Sequence, residues 1–205
     1  PRSTLFPYTT LFRSWLTFPL EIINRVKNGD TAAFSVMVDR FQTSVYNLCY
    51  RMLSYNVRDA EDAAQEVFVK IWTNIGRFDA QRTFSTWVLA IATNHCIDMI
   101  RKKRVATVEI DETMEEVIPD RVATPKEALR DRERADEVRS LLAGLTEVDR
   151  AIIVLRYWDD LSDREIGAVV GLSESAVKSR LFRARKQLVG LYRQVREPAV
   201  PEVAG

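Results

Sequence analysis

Between Thr107 and Ala128 the chain loses the period it keeps elsewhere. The stretch VEIDETMEEVIPDRVATPKE carries Glu109, Asp111, Glu112, Glu115, Glu116 and Asp120, together with Pro119 and Pro125. It reads as a charged, extended linker. On either side, apolar residues recur at helical spacing, and no run alternates as a half-buried strand would. The expectation is an all-α protein made of two small helical domains, residues 15–104 and 128–193. An acidic flexible linker, 105–127, joins them, and 194–205 forms a disordered tail. The opening PRSTLFPYTTLFRS has no helical period and no acidic residue, and it lacks the long apolar core of a signal peptide. It resembles translated sequencing-adapter read-through, so residues 1–14 are read as a non-native segment.

The first block is helix after helix. Asn28-Gly29-Asp30 supplies a glycine stop and then an N-cap. Phe34, Val38, Phe41, Val45 and Leu48 follow at spacings of three and four. Asn56 can cap the next helix, whose core stripe runs through Ala60, Ala63, Ala64, Val67, Phe68, Ile71, Trp72 and Ile75, with Gly76 closing it. On the opposite face of that helix, Asp62, Gln65, Glu66 and Val69 stand at i, i+3, i+4 and i+7. An acidic and amide face with one exposed apolar residue suits a protein partner and would repel DNA. Taken alone, the pattern fits a solvated helix flank as well.

The next helix, TFSTWVLAIATNHCIDMIRKKR, is apolar for most of its length and ends in Arg101, Lys102, Lys103 and Arg104. Cations at a helix C-terminus complement its dipole, but that effect is worth ~0.3–1 kcal/mol and does not call for four of them. A contact with nucleic-acid phosphates stands open beside the dipole. Phe78, Phe84 and Trp87 lie next to this region, and Trp87 is placed for a core.

The second block carries LSDREIGAVVGLSESAVKSRLFRARKQL, which reads as a helix-turn-helix. Ser162 and Glu165 form a capping box, Ile166, Val169 and Val170 are the buried face, and Gly171 can end the first helix left-handed. Ser173 caps the second helix, on which Ala176, Val177, Leu181, Ala184 and Leu188 face inward. Lys178, Arg180, Arg183, Arg185 and Lys186 leave that helix basic. Its early residues could reach base edges in a major groove and its later cations the phosphates.

Composition narrows the remaining classes. The chain has 46% hydrophobic and 29% charged residues, and its net charge is +1, so nucleic-acid contacts must come from local clusters. No apolar run approaches the ~20 residues of a membrane span, and no membrane insertion is expected. Cys49 and Cys96 sit in helical apolar context and read as buried reduced thiols. His95 reads as an ordinary helix residue. No nucleophile–base constellation, glycine-rich phosphate loop or Cys/His cluster at metal spacing stands out, so neither enzymatic activity, nor a cofactor, nor a metal is expected.

DAEDAAQEVFVKIW, then FSTWVLAIATNHCIDMIRKKR, then LSDREIGAVVGLSESAVKSRLFRARKQL occur in this order. Together they resemble the extracytoplasmic-function (ECF) sigma factors of bacterial RNA polymerase, in the sigma-70 family, from about Pro19 to Arg193. The resemblance implies a σ2 domain, a linker threaded through the polymerase and a σ4 domain, acting in the cytoplasm. Its partners would be core RNA polymerase (the largest and second-largest subunits), promoter DNA, and an anti-sigma or other inhibitory protein. Asp62, Gln65, Glu66 and Val69 would dock on polymerase. Asp79, Gln81, Arg82 and Phe84, with Arg101, Lys102, Lys103 and Arg104, would serve the −10 element. Ser175, Lys178, Ser179, Arg180, Phe182, Arg183 and Arg185 would serve the −35 element. The main alternative is a stand-alone helix-turn-helix transcriptional regulator with a helical sensor. A purely protein-binding adaptor would leave the basic helix without purpose.

Overall fold

The computed structural model describes residues 18–107 and 136–196. The segment 1–14, most of the linker and the end of the tail therefore lie outside the described residues. Helix α1 spans Leu20–Lys27, α2 Thr31–Met52, α3 Val57–Asn74, and α4 Phe84–Thr107; a 3-10 turn, Ile75–Arg77, follows α3. Residues 136–143 form α5. Helix α6 spans Glu147–Tyr157, α7 Asp163–Val170, and α8 Glu174–Arg196. No strand occurs among the described residues. Two boundaries move outward from the sequence expectation: α4 runs through Thr107 into the expected linker, and α8 runs to Arg196 into the expected tail.

The starts and stops follow local chemistry. Asp30 accepts a hydrogen bond from the Ala33 amide at 3.0 Å and begins α2, directly after Gly29 at φ 85°. That amide, and after it the Arg25 side chain, holds the Asp30 carboxyl below its usual range. Asn56 accepts from the Asp59 amide at 2.9 Å and begins α3. Thr146 and Ser162 cap α6 and α7 in the same way.

In the first lobe, α2 is the central helix. It buries Met37, Phe41, Val45, Leu48 and Met52 against Ala60, Ala63, Val67 and Ile71 of α3 and against Val88, Leu89 and Ala92 of α4. Cys49 and Cys96 are buried there as free thiols. In the second lobe, Ile152, Val154 and Leu155 of α6 pack with Ile166 and Val169 of α7 and Val177, Leu181 and Ala184 of α8. Gly167 is required where α7 passes under the turn: a Cβ there would lie 2.5 Å from the Leu172 carbonyl oxygen.

The lobes are not apart, as a picture of two bodies on a tether would have them. Helix α6 packs on α2 and α4, and α7 packs across α4. The reason is chemical as well as apolar. Arg150 of α6 is only 6% exposed. It donates to the Leu142 carbonyl at 2.9 Å within its own lobe, and to the Met52 carbonyl at 2.8 Å and the Ser54 hydroxyl at 3.3 Å in the other. Met52 and Leu142 lie in the last turns of α2 and α5, where backbone carbonyls lack intrahelical partners. One guanidinium thus caps two helix C-termini from two lobes. Nearby, the Arg51 guanidinium lies 5.6 Å from the centroid of the Trp158 ring.

Asp159, in the α6–α7 connection, is buried and its Oδ2 has no hydrogen-bond partner. Burial pushes its carboxyl from the ordinary 3.8 to about 7, partly opposed by the charge of Arg51. The folded state therefore holds a proton that the unfolded chain releases near 3.8, so stability falls as pH rises between about 4 and 7. Asp159→Asn should remove this loss. Its melting temperature should gain on the wild type by several degrees between pH 5.5 and pH 8, on the order of 2 kcal/mol at ~1.4 kcal/mol per pKa unit. Calorimetry at the two pH values checks this, and a constant gap would show that Asp159 does not titrate there. Gly167→Ala should destabilise by roughly 1–3 kcal/mol, the usual cost of overpacking, read as a lower melting temperature.

Candidate polymerase and nucleic-acid interfaces

The outer face of α3 follows from its inner one. Because Ala60, Ala63, Val67 and Ile71 are fully buried, Asp62, Gln65, Glu66 and Val69 point away from the core and are exposed, Val69 to 56%. A shallow apolar groove runs beside them between α2 and α3, floored by Val38, Tyr46, Ala64 and Phe68. The sequence did not signal this groove, since its residues come from two helices. Lys70, one step along α3, donates to His95 Nδ1 at 2.7 Å, which fixes the imidazole in its neutral form. Burial first, then the Lys70 charge, hold that ring below its usual pKa.

Between the 3-10 turn and α4, the Asp79 side chain accepts the Gln81 amide at 2.9 Å, and the Arg82 amide donates to the Asp79 carbonyl at 3.0 Å. This tight turn leaves Asp79, Gln81 and Arg82 exposed. Phe84 is different. It is 3% exposed, with ring centroids 5.3 Å from Phe18, 5.5 Å from Phe41, 5.1 Å from Phe78 and 5.5 Å from Trp87. The expectation that Phe84 contacts DNA is therefore corrected: its ring is core, and so is that of Phe78. The aromatics form the floor beneath the loop rather than a surface for a base.

At the end of α4, Arg101, Lys102, Lys103 and Arg104 are all exposed. Two of them have carboxylate partners. Arg101 Nε donates to Glu147 at 2.7 Å, across to the second lobe, and that bond holds the Glu147 carboxyl below its usual range. Lys103 pairs with Asp59 at the start of α3. Lys102 and Arg104 form no ion pair among the described residues.

The helix-turn-helix forms as its caps require. Ser162 and Glu165 make a reciprocal capping box, Gly171 takes φ 71°, and Ser173 accepts from the Ala176 amide at 3.3 Å. Along α8, Ser175, Lys178, Ser179, Phe182, Arg183 and Arg185 are exposed, Phe182 to 69%. Lys178 is paired with Glu174 at 2.6 Å, one turn back. Arg180 is half-buried and donates to Asp149 of α6 at 2.8 Å, so here it braces the second lobe. Arg185 donates to the Tyr157 hydroxyl at 2.7 Å. Phe182 and Arg183 thus stand outward beside side chains held in place by their neighbours.

Among the described residues no helix is long and apolar enough to cross a membrane, and no group of His, Cys, Asp and Glu could hold a metal ion. Two family models match the chain: Sigma-70 region 2 over residues 37–105, and Sigma-70, region 4 over residues 135–188. The ECF RNA polymerase sigma factor SigW of Bacillus subtilis (strain 168) is 40% identical over 174 residues, which cover 81% of this chain and 92% of SigW. The solved structure of CnrH, in complex with the cytosolic domain of CnrY, is similar with a TM-score of 0.62 and 28% identity, over 83% of this chain and 94% of that one. The sigma factor RpoE from Bartonella quintana shares the fold, with a TM-score of 0.61 at 20% identity, over 78% of this chain and 96% of that one. The chain belongs to the extracytoplasmic-function sigma factors of the sigma-70 family, the promoter-recognising subunits of RNA polymerase.

Proposed function

We propose that the sigma function of this chain is divided among three surfaces. The outer face of α3, with Asp62, Gln65, Glu66 and Val69, binds core polymerase. The Asp79–Gln81–Arg82 turn and the cations ending α4 meet the −10 element. The exposed face of α8, above all Lys178, Ser179, Phe182 and Arg183, meets the −35 element, with Ser175 and Arg185 flanking it. The observation that carries this reading is that one chain exposes an acidic and amide face on α3 and a cationic face on α8. The first would be repelled by DNA and the second attracted to it. A stand-alone regulator has use for the second face only.

The described residues fit two domains, α1 to α4 as σ2 and α5 to α8 as σ4. The chain is read as a non-enzymatic initiation factor at work in the cytoplasm, where its polymerase is. The likeness to CnrH, solved with the cytosolic domain of CnrY, supports a further protein partner, which the sigma reading takes to be an anti-sigma or other inhibitory protein.

Reversing charge at Asp62 and Glu66 to Lys should abolish co-elution with core polymerase while circular dichroism stays helical. Truncated charge contacts in an interface typically cost ~2–5 kcal/mol each. Retained co-elution would remove α3 from the polymerase interface. On DNA, Arg183→Ala should relax preference at one upstream base pair, where a bidentate contact carries ~1–3 kcal/mol of discrimination. Lys102→Ala and Arg104→Ala should weaken holoenzyme binding on every promoter tested and flatten its salt dependence. Equal loss on all upstream variants would make Arg183 a phosphate contact instead.

A further inference from the structure

The turn at residues 79–82 hangs between two different anchors. Its exit is the first turn of α4, where the Thr83 and Thr86 hydroxyls share a hydrogen bond at 2.5 Å and the Thr83 carbonyl accepts from the Trp87 amide at 3.2 Å. Its entry is Phe78, where the backbone leaves the 3-10 turn for an extended conformation, φ −65° and ψ 123°. A carbonyl just past a helical turn has to find its partner elsewhere. Here the partner comes from another helix. The Lys27 ammonium, on the last turn of α1, donates to the Phe78 carbonyl at 3.0 Å and stands 5.6 Å from the centroid of the Phe78 ring.

The origin of this contact is itself fixed. Helix α1 packs on α2 and buries Ile23 and Val26, and the Arg25 guanidinium donates at 2.8 Å to Asp30, the cap of α2. Lys27 therefore reaches out from a pinned helix end. At its far end the bond fixes the peptide plane between Phe78 and Asp79, because a carbonyl and the amide that follows it lie in one plane. The aromatic floor places the Phe78 ring but not this plane: apolar burial has no direction, whereas a hydrogen bond has one. Asp79 is the residue around which the turn closes, its side chain taking the Gln81 amide and its carbonyl the Arg82 amide. The orientation of Asp79, Gln81 and Arg82 thus descends from a side chain 51 residues before Phe78.

We propose that Lys27 is a positioning residue for promoter reading: it sets the peptide plane at the entry of the 79–82 turn, and with it the angle at which Asp79, Gln81 and Arg82 meet a base. The role in promoter reading rests on the assignment of this turn to the −10 element; the tie between Lys27 and the turn does not. A binding constellation has to be held within about 0.5 Å of its productive geometry. A turn loosened at its entry keeps its side chains but not their placement, so it loses discrimination between bases before it loses affinity.

Lys27→Met keeps the stem and removes the donor. The full chain, bound to core polymerase, is offered a pool of promoter fragments randomised across the −35 and −10 elements, and base preference is read by sequencing the bound fraction. Preference at the −10 positions should fall by roughly three- to tenfold, the weight of one hydrogen bond from a charged group. Preference at the −35 positions and the slope of affinity against salt should stay as in the wild type. Lys27→Arg, which still presents donors to the carbonyl, should restore most of the lost preference. In the free chain, hydrogen exchange at the Gln81 and Arg82 amides should be faster in Lys27→Met, with exchange in α2 unchanged. Lower affinity on all sequences with a flatter salt slope would make Lys27 a phosphate contact and overturn the proposal. Faster exchange throughout α2 would make it a merely stabilising residue, with the same consequence. The triple variant Asp79→Ala, Gln81→Ala, Arg82→Ala separates the two levels. If it loses −10 preference and Lys27→Met does not, the positioning role alone is overturned. If neither loses it, the assignment of the turn to the −10 element falls and the positioning role with it, whether or not exchange at the turn has quickened.

Discussion

A single buried guanidinium organises the relation between the two halves of this molecule. Arg150 has no carboxylate among its hydrogen-bond partners; it donates to backbone carbonyls and one hydroxyl. Taking that charge out of water holds its pKa below the usual arginine value, with Glu147 partly compensating. The arrangement is tolerable because the acceptors are helix C-terminal carbonyls, which carry partial negative charge and would otherwise lack partners. Loss of Arg150 would strand those carbonyls in both lobes. The cost of unmaking such bonds exceeds the net gain of making them, so the contact specifies one mutual placement of the lobes more than it adds stability.

The α3 face and the α8 face are set differently, each by the burial of its opposite side. Asp62, Gln65, Glu66 and Val69 are outward because Ala60, Ala63, Val67 and Ile71 are inward. Phe182 and Arg183 are outward because Val177, Leu181 and Ala184 hold α8 against the rest of its lobe. Neither face depends on the joint, and both remain open while the lobes are docked. The cationic end of α4 is the exception, since Arg101 is engaged by Glu147 and Lys103 by Asp59.

This division explains what the sequence could show. The caps at Asp30, Asn56 and Ser162, the left-handed Gly171 and the period of α3 are local, and they were legible as written. Phe84 was misjudged because α4 is apolar around nearly its whole circumference, so period alone does not tell which rings face a core and which a ligand. Arg150 gave no signal at all. In TEVDRAIIVLRY it looks like any helix cation, and its partners Met52 and Ser54 are about a hundred residues away in the chain. The partners of Arg101, Lys103 and Arg180 were hidden for the same reason.

The aromatic floor beneath the turn at residues 79–82 separates two demands that often conflict. Phe18, Phe41, Phe78, Phe84 and Trp87 interlock edge to face and stacked, with neighbouring centroids 5.1–5.5 Å apart. Asp79, Gln81 and Arg82 stand above them in solvent. The residues of the turn can therefore be exchanged without touching what holds it. On the proposed reading, in which this turn meets the −10 element, specificity sits as an interchangeable cassette on a fixed socket.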